Sequence, residues 1–164
     1  HLGRYIQQQT GADMIIWEGD CIVHREFQSE ALASLKKRYR NAAVLVHPEA
    51  PIDVIAQADV VGSTQRLLAA VKSMHQTHFI IATDQGLFYA MQSAAPAKQL
   101  ILAPTIGKSG TCQACGHCPW MQMNSLKGIL SALSGDIEIK LPKRIIEQAR
   151  VPLERMLQFQ NHPG

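Results

Sequence analysis

Between residues 26 and 102 the apolar residues switch four times from a helical repeat to a short strand-like run, and that alternation leaves few folds open. Phe27, Ala31, Leu35 and Tyr39 recur every four residues, as on one face of a helix. Ala42-Ala43-Val44-Leu45-Val46 then runs apolar without a break, the pattern of a parallel strand buried on both sides. A brief helix from Pro51 to Ala58, a strand at Asp59-Val60-Val61-Gly62 and a helix from Gln65 to Met74, with Leu68, Val71 and Lys72 at helical spacing, continue the series. A strand at Phe79-Ile80-Ile81-Ala82, a helix from Leu87 to Ala94 and a strand from Gln99 to Leu102 ahead of Pro104 complete it. Strand, helix and parallel strand in succession demand right-handed crossovers with helices on both faces. The expected fold is therefore α/β, a three-layer α-β-α unit around a four-stranded parallel sheet.

The flanks differ in character. Leu2 to Gln9 reads as the middle of an amphipathic helix without a start signal, and the first residue is His1, so the chain is expected to be a fragment. Beyond residue 118 only helices are expected, with Met123, Leu126, Ile129, Leu130 and Leu133 on one stripe. Pro142 and Pro152 each suit the first position of a helix, which makes Leu141 to Gln160 two short helices or one kinked helix. At 164 residues and 46% hydrophobic content the chain can bury one good core. Sixteen Lys and Arg against thirteen Asp and Glu, without a basic block interleaved with aromatics, give no sign of nucleic-acid binding. No apolar run approaches the roughly 18 residues that span a membrane, and no charged-then-apolar leader is seen, so a cytoplasmic location is expected.

In an open parallel sheet, ligands gather beyond the carboxyl ends of the strands. His47-Pro48-Glu49 follows the first strand, Gly62-Ser63-Thr64 the second, and Thr83-Asp84 with Gly86 the third. His47 and Glu49, two apart, can offer a hydrogen-bond donor and a general base to one ligand, although the same residues also suit an ordinary polar loop. Ser63 or Thr64 falls at a helix N-cap, where free N–H groups and the dipole favour a carboxylate or phosphate; a plain cap is the other reading. Thr83 and Asp84 carry the same two readings.

Three of the four cysteines lie in Cys112-Gln113-Ala114-Cys115-Gly116-His117-Cys118-Pro119, and Cys21 stands far upstream. C-x2-C-x2-C followed by proline is close to an iron–sulfur ligand run, with zinc as the nearest competitor and three loop thiols as the plain alternative. Such crowding, in a chain without a secretory leader, suits metal or redox duty in a reducing compartment. Pro119 as a first helical residue would leave Cys118 at an N-cap, where its thiolate is stabilised. Cys21, in Gly19-Asp20-Cys21-Ile22-Val23-His24, lies at the mirror position ahead of the first helix, and taken alone it reads as a small buried apolar residue. His24 reads as supporting or structural rather than as a ligand.

Taken together, Thr10-Gly11-Ala12-Asp13-Met14, Gly19 to His24, Val46-His47-Pro48-Glu49, Val61-Gly62-Ser63-Thr64, Ala82-Thr83-Asp84 and Cys112 to Trp120 resemble the motifs of the quinolinate synthases, in that family's order. The resemblance covers the whole chain. It implies three similar α/β units about a pseudo-threefold axis, with a [4Fe–4S] cluster held by one cysteine from each. Residues 1–21 would be the tail of the preceding unit, 22–117 an α/β unit, and 118–164 a helical segment returning to the first unit, which is missing here. Cys21 and Cys118 would be two of the cluster ligands, with the third in the missing N-terminal half. The reaction implied condenses iminoaspartate with dihydroxyacetone phosphate to quinolinate, in de novo NAD synthesis, with the open iron acting as a Lewis acid. His47, Pro48 and Glu49 would contact the dicarboxylate, Glu49 would shuttle protons, and Ser63 and Thr64 would bind carboxylates. Partners implied are the missing half and the L-aspartate oxidase that supplies iminoaspartate. The fragment alone is expected to be inactive.

On this pattern Cys112 and Cys115 are left as a C-x2-C pair free for thiol–disulfide exchange. The competing reading is an α/β module in which Cys112, Cys115 and Cys118 hold a structural zinc while the sheet edge binds an anion without catalysis. A thioredoxin-like protein is disfavoured, because no C-x2-C opens the first helix after a strand.

Overall fold

The computed structural model of the chain describes residues 1–106 and 116–161, and these form two compact units, residues 1–123 and 124–164. In the first unit a helix α1 (Leu2–Thr10) precedes the α/β core, which runs α2 (Ser29–Arg38), β1 (Ala43–Val46), α3 (Ile52–Ile55), β2 (Val60–Val61), α4 (Thr64–Ser73), β3 (His78–Ala82), α5 (Leu87–Ala94) and β4 (Gln99–Leu102). The four strands form one all-parallel sheet in the order β2-β1-β3-β4. The α/β expectation and the four-stranded parallel sheet are thus observed.

The sheet core follows from the pleat. Val44 and Val46 point to one face with Ile80 and Ala82, where they pack with Phe27, Leu32, Val54 and Ala103. Ala43 and Leu45 point to the other with Phe79 and Ile81, against Leu67, Val71 and Met91. Both faces are covered, which is why β1 and the last four residues of β3 are entirely buried. Asp59 seals the edge of the sheet: its Oδ2 accepts the Val44 N–H at 2.7 Å and its own N–H donates to the Val44 carbonyl at 2.8 Å.

Tertiary packing altered several local expectations. Phe27 is not on α2; it sits in extended backbone and pairs with Thr105 in an isolated antiparallel bridge, so Leu32 rather than Ala31 is the buried residue of the helix. The buried face of α4 is Leu67, Ala70 and Val71, while Lys72 is exposed. The helix expected from Pro51 to Ala58 narrows to Ile52–Ile55, because the chain then turns on i→i+3 bonds from Gln57 and Ala58 into β2. By contrast, α5 and β4 lie where the pattern put them.

In the second unit α6 (Leu126–Leu133) starts at Ser125, whose side chain accepts the Gly128 N–H. Of the two arrangements open for its last segment, the structure has one helix, α7 (Lys143–Asn161), with Pro152 inside it and therefore no N–H to offer the Gln148 carbonyl. Pro142 stands just ahead of it, its carbonyl accepting from Ile145 and Ile146. Among the described residues no helix is long and apolar enough to cross a membrane.

Candidate functional site

The carboxyl ends of β1 and β3 and the segment from Cys21 to Gln28 meet along one edge of the sheet. His47 continues the ladder past β1, its N–H donating to the Ala82 carbonyl at 3.0 Å, and the Ala50 N–H closes a turn on the His47 carbonyl. That turn presents Glu49. The Cys21 carbonyl accepts the Arg25 N–H at 3.0 Å, opening a single 3-10 turn over His24–Glu26. Beyond it Glu26 and Gln28 are tied to Ile106 and Pro104, just after β4. Hydrogen bonds to the strand ends on both sides thus hold this loop in place.

His24 is the centre of the arrangement. Its ring is 6% exposed, stacks on the His47 ring with centroids 4.5 Å apart, and places Nε2 3.2 Å from the hydroxyl of buried Thr83. Its Nδ1 lies 3.3 Å from Glu49 Oε2. The two atoms meet outside hydrogen-bonding angles, so among the described residues this buried nitrogen has no hydrogen-bond partner. Ligand atoms of Cys21, His24 and Glu49 all lie within 4.8 Å of one another, a set that could hold a metal ion. Glu49 Oε2 is also 3.8 Å from His47 Nδ1, and the Glu49 N–H approaches the same nitrogen at 3.4 Å. Accepting that bond leaves the His47 proton on Nε2.

Both imidazoles are held neutral near pH 7. Burial, reinforced by the neighbouring His47 and opposed by Asp84, lowers the pKa of His24 to about 4. Burial lowers His47 as well, with the Glu49 carboxylate pulling the other way. Glu49 is therefore flanked by two uncharged rings.

Cys118 lies at the end of β3. Its N–H donates to Asp84 Oδ2 at 2.7 Å, and the Gln85 N–H donates to the Gly116 carbonyl at 2.6 Å. The helix expected to begin at Pro119 is only one 3-10 turn, Met121–Met123, so no helix dipole stabilises the thiol there. The turn nonetheless repeats the Cys21 turn: the Cys118 carbonyl accepts from Gln122 and the Trp120 carbonyl from Met123, as those of Cys21 and Val23 accept from Arg25 and Glu26. Both thiols are free and half-buried. Cys21 and Glu49 line one cavity of about 470 Å³, and Cys118, Thr64 and Asp84 another of about 490 Å³.

Ser63 caps α4, its hydroxyl accepting the Arg66 N–H at 3.4 Å, and Thr64 opens the helix. Cys112 and Cys115 lie outside the described residues, and with them the pair's redox role and most of the zinc alternative. Two residues carry more of the site than the sequence suggested. His24 joins Cys21 and Glu49, which its C-x2-H spacing could have flagged. Asp84 binds two backbone N–H groups, at Gly86 and Cys118, of which only the local one is visible as an Asp-x-Gly turn. A family model described as quinolinate synthetase A protein matches residues 1–158.

Proposed function

Because the chain belongs to the quinolinate synthetase A family, we propose that it supplies the dicarboxylate-binding edge and two cluster thiolates of a quinolinate synthase, which condenses iminoaspartate with dihydroxyacetone phosphate. The observation that carries this reading is the grouping of Cys21, His24 and Glu49 within 4.8 Å, with a buried imidazole nitrogen left without a hydrogen-bond partner. Buried polar atoms are rarely left so, and a soft thiol beside an orphaned nitrogen suits a thiophilic metal centre. A [4Fe–4S] cluster would be held by Cys21 and Cys118, both free and half-buried thiols, together with a third thiolate that the resemblance places outside residues 1–164. Such a cluster with one open iron supplies a Lewis acid that polarises a hydroxyl or carboxylate.

The protein side of the chemistry rests on Glu49 with its neighbours His24 and His47, and on Ser63 and Thr64. Glu49 Oε2, 3.3 Å from His24 Nδ1 and 3.8 Å from His47 Nδ1, receives or returns a proton. His47, with its proton on Nε2, donates a hydrogen bond to a substrate oxygen without adding a charge that would pair off Glu49. Ser63 and Thr64 open α4, where first-turn N–H groups have no intrahelical acceptor and receive a carboxylate.

The test is iron and acid-labile sulfide content, with a visible spectrum, on the anaerobically reconstituted chain and four single variants. Cys21→Ala and Cys118→Ala should each lose the cluster, while Cys112→Ala and Cys115→Ala keep it. A colourless zinc site that needs Cys112, Cys115 and Cys118 together would replace this reading with the structural-module one.

A further inference from the structure

We propose that Asp84 is a positioning residue that fixes the Cys118 loop to the end of β3. The inference takes from the preceding section only that the placement of Cys118 matters. Its two carboxylate oxygens are divided: Oδ1 accepts the Gly86 N–H at 2.7 Å, which locks the side chain over its own turn, and Oδ2 accepts the Cys118 N–H at 2.7 Å. These are charge-assisted bonds at the short end of the N–H···O range. A contact 34 residues apart in sequence thereby becomes as short as one within a turn.

Among the described residues few other contacts do this work. The Gln85 N–H holds the Gly116 carbonyl, but Gly116 sits at φ +81°, and an added Cβ there would come within 3.0 Å of Leu102. That bond fixes the start of the loop, not the thiol-bearing residue two positions later. Cys118 itself is followed by only a single 3-10 turn. Asp84 is the acceptor that sets the direction of the Cys118 backbone, and so of its Sγ. A Cβ at Gly86 would meet Asp84 Oδ1 at 2.8 Å, so that carboxylate oxygen would have to shift to admit a side chain there.

The experiment reads the thiols directly. In the metal-free full chain, the iodoacetamide alkylation rates of Cys118 and Cys21 are measured by site-resolved mass spectrometry across pH. They are extrapolated to the fully ionised thiol, so that a changed thiol pKa does not enter. Loss of a hydrogen bond to a charged acceptor should raise the Cys118 rate about tenfold in Asp84→Ala, with Cys21 unchanged within about twofold. Gly86→Ala keeps the charge and displaces the oxygen, and should raise the Cys118 rate in the same direction; it also serves if Asp84→Ala does not fold. Parallel acceleration of both thiols would reduce Asp84 to a general structural role, and an unchanged Cys118 rate in both variants would overturn the clamp. Neither result depends on iron content, so failure here and failure of the cluster assignment are separable.

Discussion

Acid should destabilise the metal-free chain through His24 in particular. The imidazole is 6% exposed and its pKa is lowered from the usual 6.5 to about 4, chiefly by burial. Between those values the unfolded chain binds a proton that the folded chain refuses. The His24 contribution is therefore fully present above about pH 6.5 and drains away as pH falls toward 4. At about 1.4 kcal/mol per pH unit across that window, lowering the pH from 7 to 4.5 should cost about 2 kcal/mol. His47, also depressed, adds a loss of the same sign. Urea unfolding followed by circular dichroism, with a chelator present, at both pH values in the parent and in His24→Gln isolates the effect. The variant cannot titrate at this position, so the parent should lose about 2 kcal/mol more than the variant on acidification. Equal losses, within the roughly 0.5 kcal/mol that extrapolation allows, would mean that His24 is hydrated or already partnered in the folded chain, and the reasoning about its burial would fail.

Glu49→Gln removes the carboxylate that raises His47, so His47 should titrate at lower pH than in the parent when its ring protons are followed by NMR; an unmoved or raised value would place the two side chains apart in solution. On α4, Ser63→Ala should cost about 0.5–1 kcal/mol, because its cap bond is long at 3.4 Å, whereas Leu67→Ala, fully buried four residues on, should cost about 2–5 kcal/mol. Thermal melts of the two variants in parallel check that order, and a reversed order would put the weight of the helix on its cap rather than on its buried face.

Much of the fold was legible because a parallel sheet covered on both faces writes itself as continuous apolar runs, and Ala43–Val46, His78–Ala82 and Gln99–Leu102 all stand within a residue of their expected bounds. The order of the strands was not legible. Nothing local to Val60–Val61 says that it pairs outside β1 while β3 pairs inside; that choice is made by crossovers and by which faces α2 and α4 must cover. Sequence spacing also placed His47, Glu49, Ser63, Thr64 and Asp84 just beyond strands, since the end of an apolar run marks where a strand leaves the core.

What only the tertiary structure decided is which of these residues meet. Cys21 and Glu49 are 28 positions apart, His24 and Thr83 59, and Asp84 and Cys118 34. Periodicity reports the face of an element on which a side chain lies, and is silent about its neighbour across a loop. The same limit explains His24, whose low pKa arises from burial beneath the Cys21 turn and from the His47 ring stacked on it. The residue types therefore fixed the chemistry available at the sheet edge. The packing of three loops over that edge decided that a thiol, a neutral imidazole and a carboxylate would share one site.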